Sequence, residues 1–402
     1  MDNQIIQNVP IYNIDNTVNI GDISISKNHF TIGKINPSSK IASNVKHVII
    51  PAMIDLKAYL GEPGDDLAET IATAAKAASQ GGFVAAAMHS NEQKVIKNKE
   101  DILFLLNKSK EHGFNFLPIG AYIDIKNKAM QNVFEMHTAG AVGFANPNFT
   151  SLESGIMQRI QQYIANFDGL TFTHCYDAGF TVNAQVAETA FNTQLGLNGA
   201  PEMSEYLMVE RDINIAAYNC AKLHISGVST ANSIALIKNA KKMGLPITCD
   251  VSIFSLAFLD TDLANFDSNL KLFPFLRTKT DQKALLAGLK DGVIDAISSF
   301  HQPKIIEQKQ CEFDFAHYGA ISWQTFIPMA LKNVINEIGW QKFVQVTCIN
   351  PSKILEINLP TKSLLIDTEA EWDFNKYSNL SLSSNSPLFN QTLIGKIIAT
   401  KN

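Results

Sequence analysis

Four histidines, His89, His174, His224 and His301, stand in or beside apolar, strand-like runs. Neutral imidazoles bind zinc and exchange protons near neutral pH, so they are the first candidates for a metal or acid–base site. Lys57 follows Asp55 and Leu56 in a further apolar run. If buried, its amine would suit a general base or a Schiff-base nucleophile. The more ordinary reading pairs it with Asp55, Asp177 or Asp250. Ser298, Ser299 and His301 lie close together, but no partner spacing supports a Ser/His/Asp triad. The five cysteines are scattered without a CxxC pair, which reads as free thiols and not as a disulfide framework or zinc ribbon.

The elements that must position these groups change texture along the chain. Near the N-terminus, Val18–Ile20, Ile23–Ile25 and Phe30–Ile32 alternate at period two between Asn, Gly and Lys. The C-terminal stretch carries similar runs at 363–366 and 393–398. Neither end has enough apolar surface to fold alone, so residues 1–48 and 356–402 are expected to form one small β-sandwich. Between them, residues 49–355 alternate apolar strands with amphipathic helices, starting from His47–Ile50 and a helix near 66–79. Eight such units predict an α/β chain built on a (β/α)8 TIM barrel. The Ser/Asn-rich stretch 378–386 reads as a surface loop.

Of 402 residues, 46% are hydrophobic and 18% charged, with a net charge of −5. That balance fits a globular protein and argues against nucleic-acid binding, as no basic cluster interrupts it. The sequence shows no signal peptide and no apolar run long enough to span a bilayer, so a cytoplasmic location is expected.

Several motifs occur in a consistent order. Ile49–Gly64 ends in Glu62-Pro63-Gly64, Ala77–Phe83 contains a Gly-Gly turn, and Leu195–Ile213 carries Pro201, Glu205 and Arg211-Asp212. His224–Thr230, Leu276-Arg277-Thr278 and Pro387–Ile398 follow. Together they resemble the dihydroorotases, of the long bacterial type within the amidohydrolase superfamily, over nearly the whole chain. The resemblance implies a zinc-activated water, an aspartate that moves its proton and an arginine that holds the substrate carboxylate.

The same alignment shows those groups missing. The histidine pair of the first barrel strand is replaced by Lys57 and Tyr59, and the arginine by Gly61. The bridging carboxylate falls at Asn146, within the run 139–148, which holds no acid. The second histidine of the His224 motif is Gly227, and the catalytic aspartate is Phe300. Two substrate-binding asparagines correspond to Ser90 and Phe273. His174 alone keeps a ligand position and reads as a relic. His301 is a weak metal candidate, and period-two alternation is expected to turn His224 away from the Gly227 position. Tyr59, Phe273 and Phe300 are expected to fill the emptied barrel mouth with apolar bulk.

The resemblance therefore implies a catalytically inactive homologue with no catalytic residue, no metal and no cofactor. Its role would be that of a structural subunit of aspartate carbamoyltransferase in pyrimidine biosynthesis, itself a homo-oligomer, a dimer being expected. The alternative is a metal-dependent cyclic amidohydrolase with a reduced or shifted zinc site, using His174 and His301 with Asp177 or Asp250. A weaker third reading is a metal-free module that binds a pyrimidine intermediate.

Overall fold

The strand Met53–Tyr59 is buried at all seven positions, as a strand covered on both faces must be. It opens an eight-stranded parallel sheet that continues through Phe83–His89, Asn115–Ala121, Gly143–Ala145, Leu170–Thr173, Lys222–Ile225, Ile247–Ser252 and Ala296–Ser298. The computed structural model describes residues 4–37, 45–90, 95–146 and 152–401. Strands pair with their sequence neighbours, as in the alignment of Phe172 with His224 and of Asp250 with Ala296. Helices such as Ile71–Gln80 and Lys99–His112 return the chain across the outside. This is the expected (β/α)8 barrel.

The seam between last and first strands closes just beyond the regular ladder. Phe300 N–H donates to the Lys57 carbonyl at 3.0 Å, and Tyr59 N–H donates to the His301 carbonyl at 2.9 Å. Ala58 and His301 form a parallel bridge there. The barrel is thus stitched shut by the backbone of Lys57, Tyr59, Phe300 and His301. Ile54, Leu56, Ala85, Ala87, Ile119, Phe172 and Ala296 fill its interior towards the N-terminal end.

Strands from both chain ends come together as expected, but in a single closed sheet and not in the two facing layers of a sandwich. Its order runs Gln4–Tyr12, Val18–Ser26, His29–Pro37, Gln391–Lys401, Ser363–Phe374 and His47–Pro51. The sheet closes on itself around Val9, Ile11, Ile23, Phe30, Ile49 and Leu365. His47–Pro51, read from sequence as leading the first barrel unit, instead pairs antiparallel with Ser363–Asp367 in this terminal sheet. The barrel begins only after Ala52.

The segment 378–386 also departs from its sequence reading as a surface loop. Ser381, Ser383, Asn385 and Ser386 are buried. Asn385 Nδ2 donates to the Gln302 and Gly319 carbonyls at 3.0 and 3.1 Å, and Ser383 Oγ to the Ala68 carbonyl at 2.6 Å. Its polar side chains supply the hydrogen bonds that let a loop backbone be buried against the barrel mouth. No helix among the described residues is long and apolar enough to cross a membrane.

Candidate functional site: a barrel centre held by a lysine

Lys57 projects into the barrel from the first strand and is fully buried. Its Nζ lies 3.2 Å from His89 Nδ1 and in close contact with His174 Nε2. His89 Nε2 sits 3.0 Å from the Leu56 carbonyl, which fixes the proton on that nitrogen and leaves Nδ1 to accept from the lysine. One amine thus bridges imidazoles from the second and fifth strands. Burial pushes the lysine pKa well below its ordinary value, against the opposing pull of the Asp250 charge. Burial, followed by the neighbouring lysine, likewise holds both histidines well below the usual imidazole range. The centre is a mutually hydrogen-bonded cluster in which burial disfavours the charged forms. The sequence reading paired Lys57 with a carboxylate; the amine reaches imidazoles instead, while Asp55 accepts from the Lys57 backbone N–H at 3.2 Å.

The other replaced positions interlock. Gly227 has φ +77°, and a Cβ there would meet Pro274 at 2.7 Å and the Phe300 ring at 2.8 Å. The buried Phe300, itself at φ +52°, occupies the space a histidine at 227 would need. At Gly61 a Cβ would run into the Asp65 carbonyl and the Glu69 backbone, whose nitrogen would lie 2.6 Å away. The loop 61–69 is therefore folded too tightly for an arginine. Tyr59 is buried, with its ring 5.0 Å from Lys57 Nζ. Phe273 stacks edge-on against Tyr176 and Phe275 at 5.3 and 5.5 Å, only partly buried. Ser90 is buried and its Oγ accepts the Ile96 N–H at 3.0 Å. Asn146 is buried with no hydrogen-bond partner for its amide among the described residues. Pro147, Asn148 and Asn91, which complete two of the aligned motifs, lie outside the described residues.

The remaining polar groups are tied into structural bonds. Asp55 accepts from Ser299 N–H and Trp323 Nε1–H at 2.9 and 2.8 Å, and burial raises its pKa to about 6. Burial alone would also raise Asp250. The His224 bond and charge, the Ser298 hydroxyl at 2.5 Å and the Gly227 N–H at 2.5 Å outweigh it and pull the carboxyl below its ordinary value. His224 faces the barrel interior, 3.5 Å from Asp250 and against Phe172, contrary to the outward orientation expected. The reason is that its strand ends at Ile225, so alternation does not carry through to Gly227. His301 stacks on Trp323 at 3.9 Å, accepts the Ser322 N–H at 3.1 Å on Nδ1 and turns Nε2 towards Glu69 at 3.8 Å. Ser298 and Ser299 donate to Asp250 and Asp55, so neither faces His301 as a nucleophile faces its base. Asp177 accepts from its own loop, at Gly179 N–H, 2.7 Å away.

The implied zinc site does not fit these residues. The first two positions offer an amine and a phenol, Gly227 offers no side chain, and Lys57 Nζ occupies the space between His174 and the neighbouring His89. Among the described residues no three His, Cys, Asp or Glu side chains converge on a point where a metal ion would be held. Space is equally short. The cavity at the mouth, lined by His174, Tyr176, Gly227, Phe273 and Arg277, has about 10 Å³, and so does its neighbour beside Asn146 and Asp212. That is room for one water at most, far below the several hundred Å³ of a typical small-molecule site.

The sequence reading expected apolar bulk from Tyr59, Phe273 and Phe300 at the mouth but not the Lys57 amine between His89 and His174. His89 was a candidate for a metal or acid–base site, but nothing in the spacing ties it to Lys57. The Glu205 network was visible as a motif without a role. Its carboxylate accepts Ser229 and Thr230 N–H at 2.9 and 3.0 Å and faces Arg277 at 3.7 Å, fixing the loop after the sixth strand.

A family model described as dihydro-orotase-like matches residues 46–233. A protein named dihydroorotase from Acetivibrio thermocellus is 33% identical over 88% of this chain and 85% of its own length. Another of that name, from Ruminiclostridium cellulolyticum, is 31% identical over 87% of this chain and 84% of its own. Among solved structures, an L-hydantoinase (dihydropyrimidinase) from Arthrobacter aurescens superposes with a TM-score of 0.80 at 19% identity, covering 100% of this chain and 95% of that one. A dihydropyrimidinase from Brevibacillus agri gives 0.77 at 16% identity, covering 100% and 94%. At that identity the structures speak for the fold alone, whereas the sequence matches go further: this chain belongs to the dihydroorotase-like family of the amidohydrolase superfamily.

Proposed function

We propose that the chain is a catalytically silent member of its family. In this reading it serves as a structural subunit in an assembly with aspartate carbamoyltransferase, in the synthesis of pyrimidines. The observation that carries the silent half is the Lys57 amine between His89 and His174, with Phe300 packed over Gly227. Hydrolysis or closure of a cyclic amide in this family needs an activated water, a proton carrier and space for the ring. Here the first lacks its ligands, the second is a phenyl group and the third is filled. A fold retained without its chemistry is available as scaffold, and self-association as a dimer would extend it.

A second reading remains with support of its own: a cyclic amidohydrolase with a shifted metal site. The relatives named dihydroorotase, matched over most of this chain, favour it at the level of the family. The test is the interconversion of carbamoyl aspartate and dihydroorotate by the purified chain with zinc supplied, alone and mixed with the transferase. Turnover by the chain alone would establish the amidohydrolase. No turnover, together with a co-sedimenting complex, would support the silent subunit.

A further inference from the structure

The barrel's C-terminal end carries two features that the closed site does not use. One is exposed apolar surface: Leu67 is 79% exposed, Val182 71%, Phe315 74% and Leu382 51%, with Phe180 and Phe266 nearly half exposed. These residues sit on loops that are joined to one another. Tyr318 Oη donates to the Ala184 carbonyl at 2.7 Å, the Phe266 and Phe313 rings lie 6.3 Å apart, and Lys271 Nζ donates to the Phe313 and Asp314 carbonyls at 2.8 and 2.9 Å. Leu67 and Leu382 come together through Ser383 Oγ on the Ala68 carbonyl and the Leu382 N–H on Glu69 at 3.0 Å.

The other feature is charge. Asp66, Glu188, Asp262, Glu307, Glu312 and Asp314 point outward from these same loops. The lysines of the loops are turned inward. Lys271 and Lys309 are buried with their amines on backbone carbonyls, that of Lys309 on His317 at 2.8 Å, and Lys304 is buried too. Lys376 is the one exposed base among the described residues of these loops. Within these loops six exposed acids thus stand against one exposed base around the apolar residues, while Lys97, Lys126 and Lys128 are exposed on the loops after the second and third strands.

We infer that this face docks a protein partner whose complementary surface is apolar at its centre and basic around it. Apolar surface within a charged rim is the usual make-up of a protein interface, and the sign of the rim selects the partner. Nucleic acid and anionic membranes are repelled by it. A second copy meeting this face across a two-fold axis would bring like charges together. The inference deepens the structural-subunit reading and rests on it.

The test is sedimentation velocity of the full chain with the catalytic chain of aspartate carbamoyltransferase from the same genome, at low and high salt. Variants on the face are Val182→Ser with Phe315→Ser, and Glu307→Lys with Glu312→Lys. Tyr218→Ser, 79% exposed at the end of the helix Met203–Asn219, is the control. The wild type is expected to form a complex that salt weakens. Both face variants should bind roughly tenfold more weakly or worse, and the control should bind unchanged. Equal affinity across all variants would overturn the docking face while leaving the subunit reading intact. Self-association of the chain alone that the face variants abolish would overturn it in favour of a second copy. No complex with the wild type at low salt would remove the subunit reading, and the docking face with it.

Discussion

Replacing Lys57 by Met keeps most of the side-chain volume and removes the amine, which makes the charge state of the barrel centre measurable. The unfolded chain carries Lys57 as an ammonium up to its ordinary pKa, whereas burial depresses that pKa in the fold. Folding at a pH between the two values therefore releases a proton. Stability then rises with pH by up to about 1.4 kcal/mol per unit for this one group, the unfolded state binding more protons. Between two pH values chosen below the ordinary lysine range, the wild type should gain stability that the Lys57→Met chain does not, by up to about 1.4 kcal/mol per unit. The substitution also leaves His89 Nδ1 and His174 Nε2 without their donor, at about 1–3 kcal/mol each, but that cost does not vary over this interval. The pH-dependent difference, not the stability at one pH, is thus the diagnostic quantity. Urea unfolding of both chains at the two pH values, followed by tryptophan fluorescence, supplies it. Parallel pH dependence in wild type and variant would mean that Lys57 is charged in the fold, and would refute its depressed pKa.

Gly227→Ala and Phe300→Ala should each destabilise the chain, by roughly 1–5 kcal/mol, the first through the ring at 2.8 Å and positive φ, the second through a core cavity. The double variant should cost less than their sum, by about 0.5–3 kcal/mol in denaturant titrations, because removing the ring frees the added methyl group. Asp55 keeps its proton in the fold up to about pH 6, where the unfolded carboxyl has lost it, so its contribution to stability grows as pH falls from about 6 and is smaller above. A fluorescence titration through its bond to Trp323 should show a midpoint near 6 in the wild type and none in Asp55→Asn. Glu205→Ala should destabilise by about 3–5 kcal/mol, since Arg277 would remain buried without its counter-charge; an unchanged melting temperature would show that the network is dispensable. The genome that encodes this chain is expected to encode a separate dihydroorotase that keeps the histidine pair, the arginine and the aspartate; genetic disruption of that second gene should leave the cell dependent on supplied pyrimidine.

The barrel could be read from sequence because parallel strands announce themselves as apolar runs between helices, and motif order fixed which run was which. His47–Pro51 is just as apolar as a barrel strand, and only its pairing with Ser363–Asp367 assigns it to the other sheet. Gln4–Tyr12 escaped notice because a bulge between Ile6 and Val9 breaks its alternation. At the site, the residues at 57, 59, 61, 227 and 300 could be singled out from the aligned motifs, and so could the apolar bulk of Tyr59 and Phe300. The contacts among these groups could not, because Lys57 meets His89 and His174 across the curvature of the barrel, and Phe300 covers Gly227 from another strand end. Such contacts depend on closure of the sheet, to which local spacing is blind. The loop 378–386 misled for the opposite reason: its Ser and Asn content signals a turn, but the same side chains satisfy a buried backbone.

Zinc content tests the central claim most directly. The full chain, purified without chelator, incubated with excess zinc and desalted, would be measured by elemental analysis. With Lys57 Nζ between the two imidazoles and no side chain at 227, the account predicts no stoichiometric zinc. One or more zinc ions retained per chain would contradict it and make the shifted amidohydrolase site the leading reading.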